Sequence, residues 1–388
     1  MARAARFLLL GALIASPTYL VKLHLGSLEP NLLEALVGLG LLAALFGLAA
    51  RAVRLRSWAM QWPALALFAA GTLALLWSPD QHASFGIYRQ YLVEPLLAGY
   101  ALYLVLRTAG DVWLGAWAVV GSGLVPAVAE MVSAVQHLST RHTWDVHPPT
   151  AFYLNANFAA EMIVPALVVA LALALTPQRR TAALACAAVL LVGLAVTYSR
   201  GGFFGLAAGL VVLWWLGIQR KLPFAAGGVL AAVLGLALIP RMFQRLLHEF
   251  DPHDPNNTVL SREPIWQAAV RMIHDHPLTG IGLNSFAGDL RRYAPDVGES
   301  HTHPHNFFLN FWLVLGLLGL AAYLWVIVWF GRVIRRGLVG DLRPLYVGLA
   351  AALVAILVHG LVDTTIWRND LGLQFWVLIA VATAGLER

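Results

Sequence analysis

Thr181-Ala-Ala-Leu-Ala-Cys-Ala-Ala-Val-Leu-Leu-Val-Gly-Leu-Ala-Val-Thr-Tyr198 runs for eighteen positions without a charge, with Arg179 and Arg180 before it and Arg200 just behind. As an α-helix it rises about 27 Å, close to the thickness of a bilayer's hydrocarbon core. Runs like this one recur along nearly the whole chain. Of its 388 residues 60% are hydrophobic and 12% charged, against about 25% charged in an ordinary soluble protein. The pattern predicts an all-α polytopic membrane protein forming one membrane domain over 1–388, with no room for a second large soluble domain.

Working outward, the spans fall at roughly 7–24, 31–50, 58–77, 87–106, 112–136, 156–175, 181–198, 202–218, 222–240, 305–330, 345–363 and 371–386, about twelve in all. The net charge of +6 does not point to nucleic acid, because the basic residues sit in clusters between the apolar runs. With the N-terminus inside, the cytoplasmic positions collect Arg3 and Arg6; Arg51, Arg54 and Arg56; Arg107; Arg179 and Arg180; Arg220 and Lys221; Arg332, Arg335, Arg336 and Arg343; and Arg388. The short outer loops hold only Lys22, Arg89, Arg141, Arg200 and Arg368. This alternation predicts both termini in the cytoplasm. Cys186 is the single cysteine, so neither a disulfide within the chain nor a cysteine-built metal site is expected. The start, Met-Ala-Arg-Ala-Ala-Arg before an apolar run, reads as a retained first helix.

Two longer segments fall outside: 137–155, rich in His, Pro and aromatics, and 241–304, inserted between the ninth and tenth spans. The second carries an expected helix over Ser261–His274, with Ser261 placed to cap it and Pro264 in its first turn.

The polar residues that stand out cluster on this outer side. Arg200, between Tyr198-Ser199 and Gly201-Gly202, reads either as a snorkelling arginine or as an anion clamp on the side that the inside rule depletes of charge. Arg262 opens the loop helix beside Glu263. His301-Thr-His303-Pro-His305-Asn306 holds three alternating histidines. They could ligate a metal, but Pro304 interrupts a single three-histidine face. If Pro304 is the first helical residue, the positive helix end keeps His305 neutral and suited to accept a proton. Asn155 and Asn157 begin a span, where one serves as cap and either could hydrogen-bond sugar or phosphate oxygens. Glu94, Glu130 and Glu161 lie in or near spans, where charge is costly and tends to be paired or functional. Arg89 is placed to pair with Glu94 or with a ligand phosphate.

Four of these segments, in order, resemble the O-antigen ligase and O-antigen polymerase superfamily of bacterial envelope glycosyltransferases. They are Asn155-Ala-Asn157; Tyr198-Ser-Arg-Gly-Gly202; Arg262 to Trp266 with Asp275-His-Pro-Leu-Thr-Gly-Ile-Gly-Leu-Asn-Ser-Phe286; and His305-Asn-Phe-Phe-Leu-Asn310 with Gly316-Leu-Leu-Gly319. Ala156 departs from the family's commoner Asn-Pro-Asn. The resemblance implies a GT-C-like membrane fold in the bacterial inner membrane with a periplasmic active site. The implied reaction is a metal-independent, cofactor-free, inverting transfer of a glycan from undecaprenyl diphosphate to lipid A–core. It also implies that Arg200 and Arg262 hold the diphosphate and that His305 serves the acceptor. Arg89, Arg141, Asn157, His303 and His301 are further substrate-binding candidates. A repeat-unit polymerase and a protein O-oligosaccharyltransferase share the donor chemistry. A transporter or lipid flippase is the rival of another class, for which the acidic residues in the spans would be coupling sites.

Overall fold

The computed structural model describes residues 1–23, 30–141, 150–153, 155–218, 260–297 and 301–387. The expected span 222–240 and residues 241–259 of the expected long segment lie outside these residues. Among the described residues the regular structure is helical, apart from one antiparallel bridge between Lys22 and Asn31. The helices are α1 (Ala2–Ile14), α2 (Leu32–Ala49), α3 (Gln61–Trp77), α4 (Gln81–Ile87), α5 (Glu94–Val105), α6 (Ala109–Arg141), α7 (Ala156–Leu173), α8 (Arg180–Thr197) and α9 (Arg200–Leu213). After them come α10 (Glu263–Asp275), α11 (Phe286–Tyr293), α12 (Phe307–Gly337), α13 (Arg343–His359) and α14 (Asn369–Gly385). Among the described residues six helical stretches are long and apolar enough to cross a membrane: Leu32–Ala49, Ala109–His137, Ala156–Leu173, Pro177–Thr197, Arg200–Gly217 and Phe307–Gly337. Gln61–Trp77 and Arg343–His359 are apolar but shorter.

The layering follows from residue size and polarity. α7 and α14 form the centre, where nearly every side chain of α7 and every one of α14 is buried. α2 and α3 turn Leu39, Leu42, Phe46, Trp62 and Leu65 outward, as a lipid-facing surface requires. α9 lies close along α13 because Gly205 presents no side chain to it. A Cβ there would stand 2.9 Å from the Ala355 carbonyl.

Several boundaries differ from the sequence reading. The first helix stops at Ile14, since Pro17 opens a 3-10 turn over Ser16–Leu20. α6 continues to Arg141, so the expected loop 137–155 begins as helix. Between α4 and α5 the chain forms a π-helical turn, Tyr88–Val93, which contains Arg89. α10 starts after a 3-10 turn, Leu260–Arg262, which absorbs Ser261; Arg262 holds the N-cap position and Pro264 sits in the first turn as expected.

The segment 260–297 forms a small helical layer. α10 buries Ile265, Ala268, Ala269, Met272 and Ile273 on one stripe, against Phe286 and Leu290 of α11 and Leu313 of α12. It is seated by a break in α12. Gly316 has φ +70° and ψ −174°, a conformation essentially confined to glycine. The peptide groups released there pair with the incoming turn: Ile281 N donates to Leu313 O at 2.7 Å and Leu317 N to Leu278 O at 3.1 Å. Gly280, at φ +66°, abuts the Leu313 carbonyl so closely that a Cβ would overlap it. Ser78 and Ser84 grip the far side of the same turn, through Leu283 N to Ser78 Oγ and Ser84 Oγ to Leu283 O, both 2.8 Å. The layer is thus anchored to α12 and to the α3–α4 corner.

Candidate functional site

The loop between α13 and α14 is largely buried from Asp363 onward, and other elements are stitched to it. Phe307 N, in the first turn of α12, donates to Gly360 O at 2.9 Å. Asn306 caps α12 by accepting from Leu309 N at 3.1 Å, and its Nδ2 donates to Leu361 O at 3.0 Å. Arg262 donates from Nη1 to Val362 O. Pro304 is therefore not the first helical residue. His305 precedes the cap in a left-handed conformation, φ +51°, and the helix begins at Phe307. The strain of that conformation is accepted where the surroundings impose it. Ile366, at φ +72° in the same loop, is a second case.

All these contacts converge on Asp363, whose side chain is 2% exposed. Its Oδ1 accepts from Thr364 N at 2.9 Å and lies 3.1 Å from His305 Nδ1. His303 Nε2 is 3.6 Å away. On the other oxygen, Oδ2, stand Asn157 Nδ2 at 3.2 Å and Arg262 Nη2 at 3.7 Å. The His303 and His305 rings are 4.6 Å apart, and His301 Nδ1 is 3.2 Å from His305 Nε2. Asn155 acts as the cap of α7, accepting from Asn157 N at 2.9 Å, which aims the Asn157 amide at Asp363.

Of the sequence candidates, His301, His303, His305, Arg262 and Asn157 are thus brought together. Arg200 opens α9 behind the Ser199 cap and is half-buried. Its neighbour Gly201 leaves room for the His359 ring and for Val362, which fixes that helix end beside the loop. Arg89 is held elsewhere, by Glu34 at 2.9 Å and Glu94 at 3.0 Å. Arg141 closes α6, and its side chain lies outside the described atoms. Glu130 accepts from Ala151 N at 3.3 Å. Sequence reasoning missed Asp363, His359, and the pair Arg368–Asp370. Arg368 makes a bidentate bond to Asp370, at 2.6 and 2.8 Å, and its guanidinium lies 4.2 Å from the Phe158 ring centre. Tyr153 donates to the same carboxylate at 3.0 Å. The signal for Asp363 was present as an acid at the very end of an apolar run, one helical turn after a histidine.

The electrostatics define roles. Burial alone would push the Asp363 carboxyl up, but the hydrogen bonds of the neighbouring histidines and the Arg262 charge hold it well below the ordinary carboxylate range. Burial pushes the His305 imidazole down, and the bond to Asp363 offsets this only in part. His305 is therefore a neutral ring near pH 7, with Nδ1–H donating to Asp363 and Nε2 as its basic nitrogen. Burial likewise lowers His301, with the other two histidines adding to it. Two sets of three ligand atoms lie within 4.8 Å of one another: those of His303, His305 and Asp363, and those of Glu161, His359 and Asp363. For either set to hold a metal ion, Asp363 would have to release donors already in place beside a guanidinium. The arrangement is better matched to hydrogen bonding. It can accept a proton at His305 Nε2 and steady an anion at Arg262 within one site.

The fold and site define an all-helical, multi-pass membrane protein with a buried acid behind a neutral histidine and an arginine alongside. Residues 184–324 match the family model described as O-antigen ligase, a segment that runs from α8 into α12 and includes Arg200, Arg262 and the three histidines. Over that segment the chain is similar to the O-antigen ligase family, which supports a place in the O-antigen ligase and polymerase superfamily. Asn157 and Asp363 lie outside the matched segment. No curated protein matches the chain.

Proposed function

We propose that the chain transfers a glycan from undecaprenyl diphosphate to a hydroxyl of lipid A–core, as an inverting ligase acting at the periplasmic face of the inner membrane. The observation that carries this reading is the convergence of His305 and Arg262 on Asp363. The acceptor hydroxyl gives its proton to His305 Nε2 as its oxygen attacks the sugar C1 on the face opposite the diphosphate. The C1–O bond breaks and the diphosphate departs with the electron pair. Arg262 gives one of its five N–H groups to Val362, and its Nη2 stands 3.7 Å from Asp363. The others, with Arg200, take up the charge growing on the leaving group. Such a leaving group is already anionic, so guanidinium groups suffice to hold it. Asp363 stabilises the imidazolium as it forms. The outward placement of the site rests on the asymmetry of lysine and arginine between the loops.

The test is transfer by purified protein from a lipid-linked donor, without an ion gradient. Arg200→Ala, Arg262→Ala and His305→Ala should each abolish product while the protein still accumulates in membranes. Near-normal transfer by all three overturns the reading. In a deletion strain, polymer remaining on its carrier with none on lipid A–core marks a ligase. Single repeats still attached to lipid A–core mark a polymerase.

A further inference from the structure

Behind His305 and Asp363 lies a second cluster that the proposed chemistry leaves unused. Glu161, in the second turn of α7, has its side chain 1% exposed, and among the described residues neither oxygen has a hydrogen-bond partner. The same holds for Nε2 of the buried His359 at the end of α13. Glu161, His359 and Asp363 bring their polar atoms within 4.8 Å of one another. Arg368 Nη1 stands 3.9 Å from Glu161 Oε2, while its Nε and Nη2 are committed to Asp370.

Two carboxylates this close in a buried place do not both ionise readily, because each charge disfavours the other and neither is hydrated. The charge settles where the donors are. Asp363 receives N–H groups from Thr364, His305 and Asn157, with Arg262 beside it. Glu161 receives none at hydrogen-bond distance. A carboxylic acid, unlike a carboxylate, has a proton to donate, and the His359 ring offers a nitrogen within 4.8 Å of the Glu161 carboxyl.

We propose that Glu161 is held as a neutral acid facing the His359 ring, so that the negative charge behind His305 is a single one and resides on Asp363. Glu161 is a positioning residue, and its functional part rests on the glycan-transfer reading. The groups facing it are His359 and Asp363 from the end of α13, Arg368 and Asp370 from the start of α14, Arg262 from the start of α10, and Tyr19 from the turn after α1. Ionising Glu161 would add a second negative charge near His305, favour the imidazolium, and remove the base from the pH range in which it works.

The experiment is infrared spectroscopy of the purified full chain at neutral pH, with transfer assays on the same samples. A carboxylic-acid carbonyl band present in the wild type and absent from Glu161→Gln is expected. Glu161→Ala, which removes the polar group facing the His359 ring, should lower transfer about tenfold. Glu161→Gln, a neutral donor of the same shape, should restore it and keep the wild-type acid limb of the pH profile. The proposal is overturned if Glu161 gives carboxylate bands and no acid band, or if Glu161→Gln is as inactive as Asp363→Asn. Stoichiometric divalent metal that copurifies with the wild type and is lost in Glu161→Gln overturns it as well. If the wild type transfers no glycan, the glycan-transfer reading fails, and the infrared result still decides the protonation of Glu161.

Discussion

His305 Nδ1 lies 3.1 Å from Asp363 Oδ1 across 58 residues of sequence, and it reaches that oxygen from a left-handed backbone at φ +51°. The carboxylate therefore sets which ring nitrogen carries the proton and leaves Nε2, 3.2 Å from His301 Nδ1, as the basic nitrogen. Replacing Asp363 with Asn keeps the shape and removes the charge. Turnover should fall roughly 10²- to 10⁴-fold, the range for general-base catalysis. Protonating His305 on acidification would remove the proposed base, so wild-type activity should be lost as pH falls through a value below the ordinary histidine range. Without the anion the imidazolium is less stable, so the residual activity of Asp363→Asn should show its acid limb at lower pH still. A pH profile of turnover checks both. An unmoved limb would remove Asp363 from this role.

Arg262 reaches the Val362 carbonyl from Nη1 and the Asp363 carboxylate from Nη2, a use of the guanidinium fork that a lysine cannot reproduce. Arg262→Lys preserves the charge, so a purely electrostatic role would leave it active. The expectation is instead a loss of at least about tenfold in kcat/KM for the lipid-linked donor, the effect of losing a charge-assisted bond of about 1.5–3 kcal/mol. Steady-state kinetics against donor concentration makes the comparison.

The legible and illegible parts of this protein divide along physical lines. Apolar runs such as 181–198 announce helices because their composition permits little else in a bilayer. The histidine segment and Arg262 were visible because polar residues in the stretches between apolar runs stand out. Asp363 was hidden, because a single acid at the close of an apolar run reads as the end of a helix. Only the tertiary fold brings it to His305. Arg89 shows the converse. It lies in a π-helical turn, and the capping box of α2 supplies Glu34 as a partner, a pairing no local pattern contains. The start of α12 was misplaced by three residues for a similar reason. Pro304 suits a first helical position, but Asn306 provides the better cap.

Gly316 and Gly280 join α12 to the layer that carries Arg262. Both have positive φ, and a Cβ on either would overlap a carbonyl of the opposite segment. Gly316→Ala should destabilise the protein by about 1–3 kcal/mol and lower transfer by displacing Arg262 from Val362. Thermal unfolding in detergent, read beside the transfer assay, tests the pairing. A stable but inactive variant and an unstable inactive one are both consistent with the seat. A fully active, fully stable Gly316→Ala is not.

Gly201 gives the sharpest separation of helix propensity from site geometry. An alanine Cβ there would lie 2.6 Å from Cδ2 and 2.8 Å from Nε2 of His359, a ring buried at the end of α13 with little freedom to yield. Gly38, within α2, has nothing within 4 Å of the same added atom. Both glycines are helical, and propensity alone favours alanine at each by about 0.5–1 kcal/mol. Gly38→Ala should therefore be neutral to stabilising, with transfer unchanged. Gly201→Ala should push α9 away from His359 and shift Arg200 at its first turn, costing activity more than stability. Equal behaviour of the two variants in paired unfolding and transfer measurements would show that the seat of Arg200 against His359 does not matter to function.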